Sequence, residues 1–277
     1  MNPVTKALWF IESHFATDIT LGQISEAAGV SRFHMVRAFG TTTGHAVMRY
    51  VRGRRLSEAA KALAKGAPDI LTVALDAGYN SHEAFTRAFR DQFGRTPDQV
   101  RAGGSLETLR LMEPFTMDET TGTTLRAPRM ENGRALLIAG LGSHFNFENI
   151  AGIPGLWQRF RDHAGAVPGQ VGKVAYGVCY NTDEAGNFDY IAGVEVTDFT
   201  ALPKDFARLR LAEQLYAVFP HNQHVSAIRG TFMAIFNDWL PNSGYRSADA
   251  APFERYDERF DGHTGMGGFE IWIPVRS

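Results

Sequence analysis

Apolar residues in the first hundred positions recur every three or four residues, the spacing that places them on one face of a helix. Thr20 and Gln23 have the spacing of a capping box, and Gly29 is suited to end the helix that follows. Ser31 and Ser81 are typical N-cap residues in front of two further helical runs. The apolar positions are Leu21, Ile24, Ala27 and Ala28; Met35, Val36 and Phe39; a long run from Val47 to Leu63; Ile70, Leu71, Ala74 and Leu75, with Pro68 in the first turn; and Phe85, Phe89 and Phe93.

This helical part contains an internal repeat with a period of 50 residues. Each copy is a helix, a tight turn and a capped second helix, which is the order of a helix-turn-helix unit. Two copies are too few, and the period is too long, for a stacked solenoid. The matching pairs are Leu21 with Leu71, Ala27 with Ala77, Ser31 with Ser81, Arg37 with Arg87, Ala38 with Ala88, Phe39 with Phe89, and Gly44 with Gly94.

The pattern changes after Gly103 and Gly104, where a segment rich in Thr, Glu and Pro follows. Beyond it, short β-like runs alternate with two helical stretches, in the order strand, helix, strand, strand, given twice. The strands are predicted at 135–141, 173–181, 188–197, 214–220, 253–260 and 268–275, and the helices at about 150–163 and 224–239. We therefore expect a multidomain chain: an all-α N-terminal domain over 1–103, a linker with a first strand over 104–132, and an α+β domain of two βαββ repeats over 133–277.

The composition is that of a globular protein, with 44% hydrophobic and 21% charged residues among 277. No apolar run reaches the roughly 20 residues that cross a bilayer, and the start, which contains Glu12, does not resemble a secretory signal. A lone cysteine, Cys179, fits the reducing cytoplasm that we expect for the chain. Residues 1–103 carry a net charge of +4 and residues 104–277 a net charge of −6. Contact with phosphate is therefore expected from the first part.

The second helix of a helix-turn-helix unit reads DNA because it fits the major groove with a polar face towards the bases. Its other face is apolar and packs against the first helix. Met35 and Phe39 form this apolar face in copy one, and Phe85 and Phe89 form it in copy two. The alternative is that the polar faces are ordinary solvated surfaces of a helical bundle. The residues predicted to bind DNA are Arg32, Phe33, Val36 and Arg37 in copy one, and Ser81, His82, Glu83, Thr86 and Arg87 in copy two.

The stretch from Thr5 to Ala102 resembles the two-motif DNA-binding domain of the AraC/XylS family of transcription regulators. The resemblance rests on the segments ISEAAGVS (24–31), HMVRAF (34–39), AGYNSHEAFTRAF (77–89) and FGRTP (93–97). It implies two reading helices that enter successive major-groove segments on one face of the DNA. Val36 is apolar where the family more typically has a polar residue, so we expect it to contact a thymine methyl group.

Residues from about Glu131 to Arg276 resemble the GyrI-like domain, a duplicated βαββ module. The resemblance rests on that architecture and on the segments YGVCY (176–180) and FEIWIPV (269–275). It implies that the domain binds amphipathic or cationic small molecules. A DNA-binding domain followed by a GyrI-like domain is a known order among AraC-type regulators.

A cup lined by aromatic rings and one carboxylate suits a cationic ligand, because the ring faces are electronegative. Glu195 and Glu270 hold matching places in the two repeats and are flanked by apolar strand residues. Two alternatives stay open: a strand glutamate that simply points to water, and aromatic rings that only pack the core. The predicted effector-binding residues are Glu195, Glu270, Trp157, Tyr176, Tyr180 and Trp272.

These features predict a sequence-specific DNA-binding transcription regulator. Its expected partners are double-stranded DNA, RNA polymerase and a small amphipathic effector, with a cation as the favoured case, and no membrane. Two other functions stay open: a hydrolase in which Glu195 or Glu270 is the base and Tyr180 or Trp157 orients the substrate, and a drug-sequestering protein with vestigial helices. We expect no catalytic residue, cofactor or metal, because the nine histidines lack metal-ligand spacing and no Walker A, Rossmann or G-x-S-x-G motif occurs.

Overall fold

Side-chain caps set the helix boundaries of the N-terminal domain in the computed structural model, which describes residues 2–115 and 125–277. Thr20 and Gln23 form the predicted capping box. The hydroxyls of Ser31 and Ser81 each accept a hydrogen bond from the backbone N–H group three residues later in the chain. Gly29 ends its helix in the left-handed region, where a side chain is strained. The helices are α1 (Pro3–His14), α2 (Leu21–Ala28), α3 (Arg32–Thr43), α4 (Val47–Ala64), α5 (Ile70–Asp76), α6 (His82–Phe93) and α7 (Pro97–Gly103).

The two helix-turn-helix units, α2–α3 and α5–α6, lie on either side of the long helix α4. Phe85, Phe89 and Phe93 of α6 form the core of the second unit with residues of α4 and α5, as predicted. Two details differ from the predicted repeat. Leu71 is 46% exposed, although its counterpart Leu21 is buried. Pro68 lies before α5 and not in its first turn, because Asp69 caps that helix at the backbone N–H groups of the next turn.

The C-terminal domain has the predicted strand, helix, strand, strand order twice, as β2–α8–β3–β4 and β6–α9–β8–β9. Further short strands, β1, β5 and β7, extend the sheet. A π-helical turn at Ile235–Trp239 links α9 to the short helix α10. The elements are β1 (Arg129–Gly133), β2 (Leu136–Asn146), α8 (Ile153–Arg161), β3 (Gln170–Tyr180), β4 (Asn187–Val196), β5 (Ala207–Leu211), β6 (Gln214–His221), α9 (Ile228–Ala234), α10 (Leu240–Asn242), β7 (Arg246–Ser247), β8 (Phe253–Tyr256) and β9 (Phe269–Arg276).

All strand pairs are antiparallel, in the order β1-β6-β9-β8-β3-β4-β2-β5, with β7 beside β9. The sheet is curled, because Leu136 and Leu211 near one edge share a core with Tyr216 and Trp272 near the other. We call this concave side the inner face. The opposite side, the helix face, packs against α8 through residues such as Tyr190 and against the α9 region through others.

No helix in the described parts of the chain is long and apolar enough to cross a membrane. Within the same residues, no cluster of three or more His, Cys, Asp or Glu side chains is arranged to hold a metal ion.

Candidate DNA-reading helices and effector site

Helix α6 presents its predicted reading residues to solvent. His82, Glu83 and Arg87 are exposed and Thr86 is half-buried, while the phenylalanines on the other side of the helix hold it in place. Ser81 caps the helix, and hydrogen bonds to the backbone at this N-terminus and to Ser81 lower the pKa of Glu83. Glu83 is thus a carboxylate at neutral pH. This face offers an arginine donor and a carboxylate acceptor, the two groups that pair with guanine and cytosine.

Helix α3 places its predicted reading residues against the C-terminal domain. Val36 and Arg37 are only 3% and 8% exposed. Arg37 donates from Nη2 to Thr182 Oγ1 over 3.0 Å and stacks on the Phe33 ring, with 4.5 Å from Cζ to the ring centroid. Arg32 is exposed and pairs with Glu184 of the C-terminal domain over 3.3 Å. The sequence did not predict this covering, because it arises from residues about 150 positions away.

Five of the six predicted effector residues lie on the inner face, but their carboxylates are neutralised by arginines. Arg134 donates from Nη1 and Nη2 to the two carboxylate oxygens of Glu195, over 2.5 and 2.7 Å. Arg129 donates to Glu270 over 2.8 Å, and although burial opposes it, hydrogen bonds from Arg129 and from the Trp272 indole lower the pKa of Glu270. The five residues are Glu195, Glu270, Tyr176, Tyr180 and Trp272. These two glutamates are therefore partners of arginine in the folded domain.

Trp157, the sixth predicted residue, lies on the helix face, where it belongs to a different cluster. Its indole Nε1 donates to the Tyr190 hydroxyl over 3.0 Å, and its ring meets the Tyr256 ring edge to face, with 5.1 Å between centroids. Tyr190 in turn donates to Glu254 Oε2 over 2.6 Å, and Tyr256 donates to the same oxygen over 3.3 Å. Trp157, Tyr190, Tyr256 and Glu254 together form what we call the acid cluster.

Glu254 differs from the glutamates of the inner face because no arginine or lysine pairs with it within the described residues. Its hydrogen-bond partners are the two tyrosine hydroxyls. Burial raises the pKa of Glu254 to about 7, and the hydrogen bonds from Tyr190 and Tyr256 oppose that rise. The carboxyl group is therefore poised between its neutral and charged forms near neutral pH.

A glycine makes room for this acid. Gly177 of β3 is the direct partner of Glu254 in β8, and a Cβ at Gly177 would lie 2.0 Å from the Tyr190 hydroxyl and 2.2 Å from Glu254 Oε2. Such distances are impossible for a real side chain, so only glycine lets the tyrosine and the carboxylate meet above the strand. Gly177 belongs to the YGVCY segment (176–180) that carries part of the resemblance to the GyrI-like domain, and this glycine is the signal in the sequence that indicates the site.

Comparisons with known proteins agree with this two-part organisation. Residues 24–103 match a family model described as a helix-turn-helix domain, and residues 127–276 match the GyrI-like small molecule binding domain. The transcriptional regulator Rob of Salmonella typhimurium (strain LT2) is 28% identical over 97% of this chain and 96% of its own length. The multiple antibiotic resistance protein MarA of Escherichia coli (strain K12) is 30% identical over 38% of this chain and 84% of its own. Among solved structures, SAV2435 bound to tetraphenylphosphonium has 20% identity and a TM-score of 0.44, covering 55% of this chain and 95% of that one.

Proposed function

The chain belongs to the GyrI-like small molecule binding domain family and carries a helix-turn-helix domain ahead of it, and from this premise we propose how the two domains work. The predicted multidomain fold class is confirmed, and so is the predicted function class, a DNA-binding transcription regulator with a small-molecule-binding domain. RNA polymerase as a further partner and a cytoplasmic location belong to the proposal, because a regulator acts with polymerase where the DNA lies.

In this proposal α6 reads DNA through Glu83 and Arg87, with His82 and Thr86 beside them. Its exposed polar face opposite a rigid phenylalanine core supports this role. The backbone N–H groups at the N-terminus capped by Ser81 lie where a phosphate would approach. The two reading helices of one chain would then contact about two turns of duplex.

The effector in this proposal is a lipophilic cation, and the observation that carries it is the arginine-free carboxyl of Glu254 among aromatic rings. A cation placed there would ionise the acid, whose pKa of about 7 makes that step inexpensive near neutral pH. Tyr190, Tyr256 and Trp157 supply ring faces that attract a cation and hydroxyls that hold the carboxylate. Trp157 contacts both tyrosines that bind the acid, through its indole N–H to Tyr190 and its ring to Tyr256.

The same observation favours a second candidate, a hydrolase. A carboxyl group with a pKa of about 7 suits a general base, and the neighbouring tyrosine hydroxyls are suited to orient a substrate. Here Glu254 takes the role that the sequence suggested for Glu195 or Glu270. Multiple turnover of a reactive ligand, lost in Glu254→Gln, would favour the enzyme, whereas stoichiometric binding without turnover favours the sensor.

Calorimetric titration of the full chain with tetraphenylphosphonium at pH 8 tests the effector site. We expect binding in the wild type and a loss of at least tenfold in Glu254→Gln, because the carboxylate is the counter-ion of the ligand. Glu213→Gln is the matched control, since Glu213 is exposed and lies on the short turn between β5 and β6. Equal affinity of wild type and Glu254→Gln, with loss of binding in Glu195→Gln or Glu270→Gln, would move the site to the inner face.

A further inference from the structure

The two reading helices differ in their access to DNA, although they derive from one repeat. Arg87 of α6 is exposed, whereas its repeat partner Arg37 of α3 is buried. Likewise Thr86 is half-buried and Val36 is almost fully buried. Since both helices rest on similar apolar supports, the difference comes from what lies over α3.

An acidic loop of the C-terminal domain lies over the reading face of α3. The loop joins β3 to β4, and it includes Thr182, which binds Arg37, and Glu184, which pairs with Arg32. The loop residues Thr182, Asp183 and Glu184, together with Asp249, line a cleft of about 400 Å³ opposite Phe33 and Val36. The carboxylate of Glu184 thus pairs with Arg32 as a DNA phosphate would. A cleft of this size is in the range of small-molecule pockets and is far too small for a duplex.

The α9 region fastens the other end of α3. Arg229 donates to the carbonyl oxygens of Thr41 and Thr42 over 2.7 and 2.8 Å, and Asn237 donates to Thr42 Oγ1 over 2.9 Å. His34 of α3 donates from Nε2 to the carbonyl oxygen of Phe236 over 2.7 Å. These contacts involve both the C-terminal end and the first turn of α3. Docking therefore fixes the whole helix and not one side chain.

A glycine on α3 allows this close approach. A Cβ on Gly40 would lie 2.2 Å from the Phe147 ring, so a side chain here would prevent the ring from lying against the helix. At the same time the contact leaves polar groups unsatisfied. Arg37 Nε and Asn237 Oδ1 are buried without a hydrogen-bond partner among the described residues. Buried unpaired polar atoms weaken an interface, which suits a contact that has to open.

We propose that the C-terminal domain is an autoinhibitor of the first helix-turn-helix motif: its acidic β3–β4 loop and the α9 region occupy the reading face of α3 in competition with DNA. Motif two stays free to make the first, weaker contact with a duplex. Full binding then requires α3 to leave the C-terminal domain. The inference rests on the proposed function, because it assumes that α3 reads DNA once released.

Two substitutions, one that removes a positive charge and one that removes a negative charge, test this on the full chain. DNA binding is measured by fluorescence anisotropy with a labelled duplex that has been selected from random sequences. The duplex has about 30 base pairs, which is long enough for contacts over two helical turns. Arg229→Ala removes the hydrogen bonds to Thr41 and Thr42, and Glu184→Gln removes the partner of Arg32. We expect both variants to bind severalfold to tenfold more tightly than the wild type. For Arg229→Ala this is the opposite of what loss of a positive charge does to DNA binding in general.

Matched controls carry the same charge changes elsewhere in the domain: Arg210→Ala on β5 and Glu213→Gln after it, both at exposed residues. We expect the controls to bind as the wild type does or, for Arg210→Ala, slightly more weakly. Unchanged affinity in both Arg229→Ala and Glu184→Gln, with measurable binding by the wild type, would overturn the autoinhibition. Absence of sequence-dependent binding in every chain would instead overturn the proposed function.

Cys179 gives a second measurement without any substitution, because its Sγ lies 3.8 Å from Arg37 Nη1 and is the single thiol of the chain. If α3 leaves the C-terminal domain on DNA, Cys179 loses this cover. We expect saturating duplex to speed the reaction of Cys179 with a thiol reagent such as dithiobis(nitrobenzoate). An unchanged or slower rate on the bound duplex would mean that α3 stays docked, and would contradict the proposal.

Discussion

The Tyr190 hydroxyl donates to Glu254 Oε2 over 2.6 Å and at the same time accepts from the Trp157 indole. This chain of hydrogen bonds connects α8, β4 and β8 across the helix face of the sheet. It ends on the carboxyl of Glu254, which no arginine or lysine neutralises within the described residues. A proton or a cation at Glu254 therefore changes the environment of all three elements.

Binding of a lipophilic cation is expected to weaken as pH falls through about 7. Burial raises the pKa of Glu254 to about 7, so below that pH the acid is neutral and binding has to expel its proton. The dissociation constant should then rise by about tenfold per pH unit well below the pKa. Titrations with tetraphenylphosphonium from pH 5.5 to 8.5 measure this, and a flat profile would exclude Glu254 as the counter-ion.

Tyr190→Phe should move that pH profile upwards. The hydrogen bond from Tyr190 lowers the pKa of Glu254, so its removal leaves the acid more strongly protonated at pH 7. Binding at pH 7 should weaken more than binding at pH 9. Tyr245→Phe is a suitable control, because this partly buried tyrosine stacks with Trp239 and is not part of the acid cluster.

Glu254→Gln is expected to stabilise the folded chain at alkaline pH. The pKa of Glu254 is raised in the folded state, so the folded chain binds the proton more tightly than the unfolded chain does. Stability from this group is fully present below the unfolded value of 4.5 and is lost as pH rises to about 7. A neutral glutamine avoids that loss, so the variant should gain about 1–3 kcal/mol over the wild type at pH 8 and little at pH 4.5. Urea unfolding at the two pH values measures the difference, and an equal effect at both would contradict it.

Gly177→Ala should disrupt the acid cluster. The added methyl would meet the Tyr190 hydroxyl and Glu254 Oε2, and overpacking of this kind costs about 1–3 kcal/mol. Cation binding should weaken together with stability. Gly155→Ala, in α8 with no atom within 4 Å of the added Cβ, is the control and should be neutral or slightly stabilising. Thermal unfolding with and without tetraphenylphosphonium compares the two variants.

Local signals in the sequence were sufficient for the helix caps, the core of α6 and the order of the main elements. The Ser31 and Ser81 caps, the phenylalanines of α6 and the repeated strand, helix, strand, strand order all depend on neighbouring residues, and the structure has each of them, although several strand ends differ and the short strands β5 and β7 were not predicted. The exposed Leu71 shows the limit of the repeat, because Ile70 takes over the buried position in α5. The two copies of the motif therefore share their helices, but the residue positions that face the core differ between them.

The acid cluster was not predictable in the same way. Glu254 stands beside Arg255 in a short strand, and in sequence this pattern looks like a solvent edge. Its role comes from pairing with Gly177 and from the Tyr190 hydroxyl, each more than 60 positions away. Glu195 was the more conspicuous candidate because it lies among valines, yet Arg134 reaches it from an adjacent strand end. The covering of α3 is likewise a contact between the two domains. The spacing of apolar residues within each domain gives no information about such a contact.

Arg87→Ala is expected to weaken sequence-specific DNA binding and to relax the preference at one base pair. Arg87 is exposed on the polar face of α6, and an arginine that forks onto guanine contributes about 1–3 kcal/mol. Arg90→Ala removes the same charge from the last turn of the same helix and is the matched control. If Arg87 only contacts phosphate, Arg87→Ala should lose affinity equally for all sequences and show a smaller salt dependence, with no change of base preference. Anisotropy titrations with the selected duplex and with single-base variants of it separate base reading from phosphate contact.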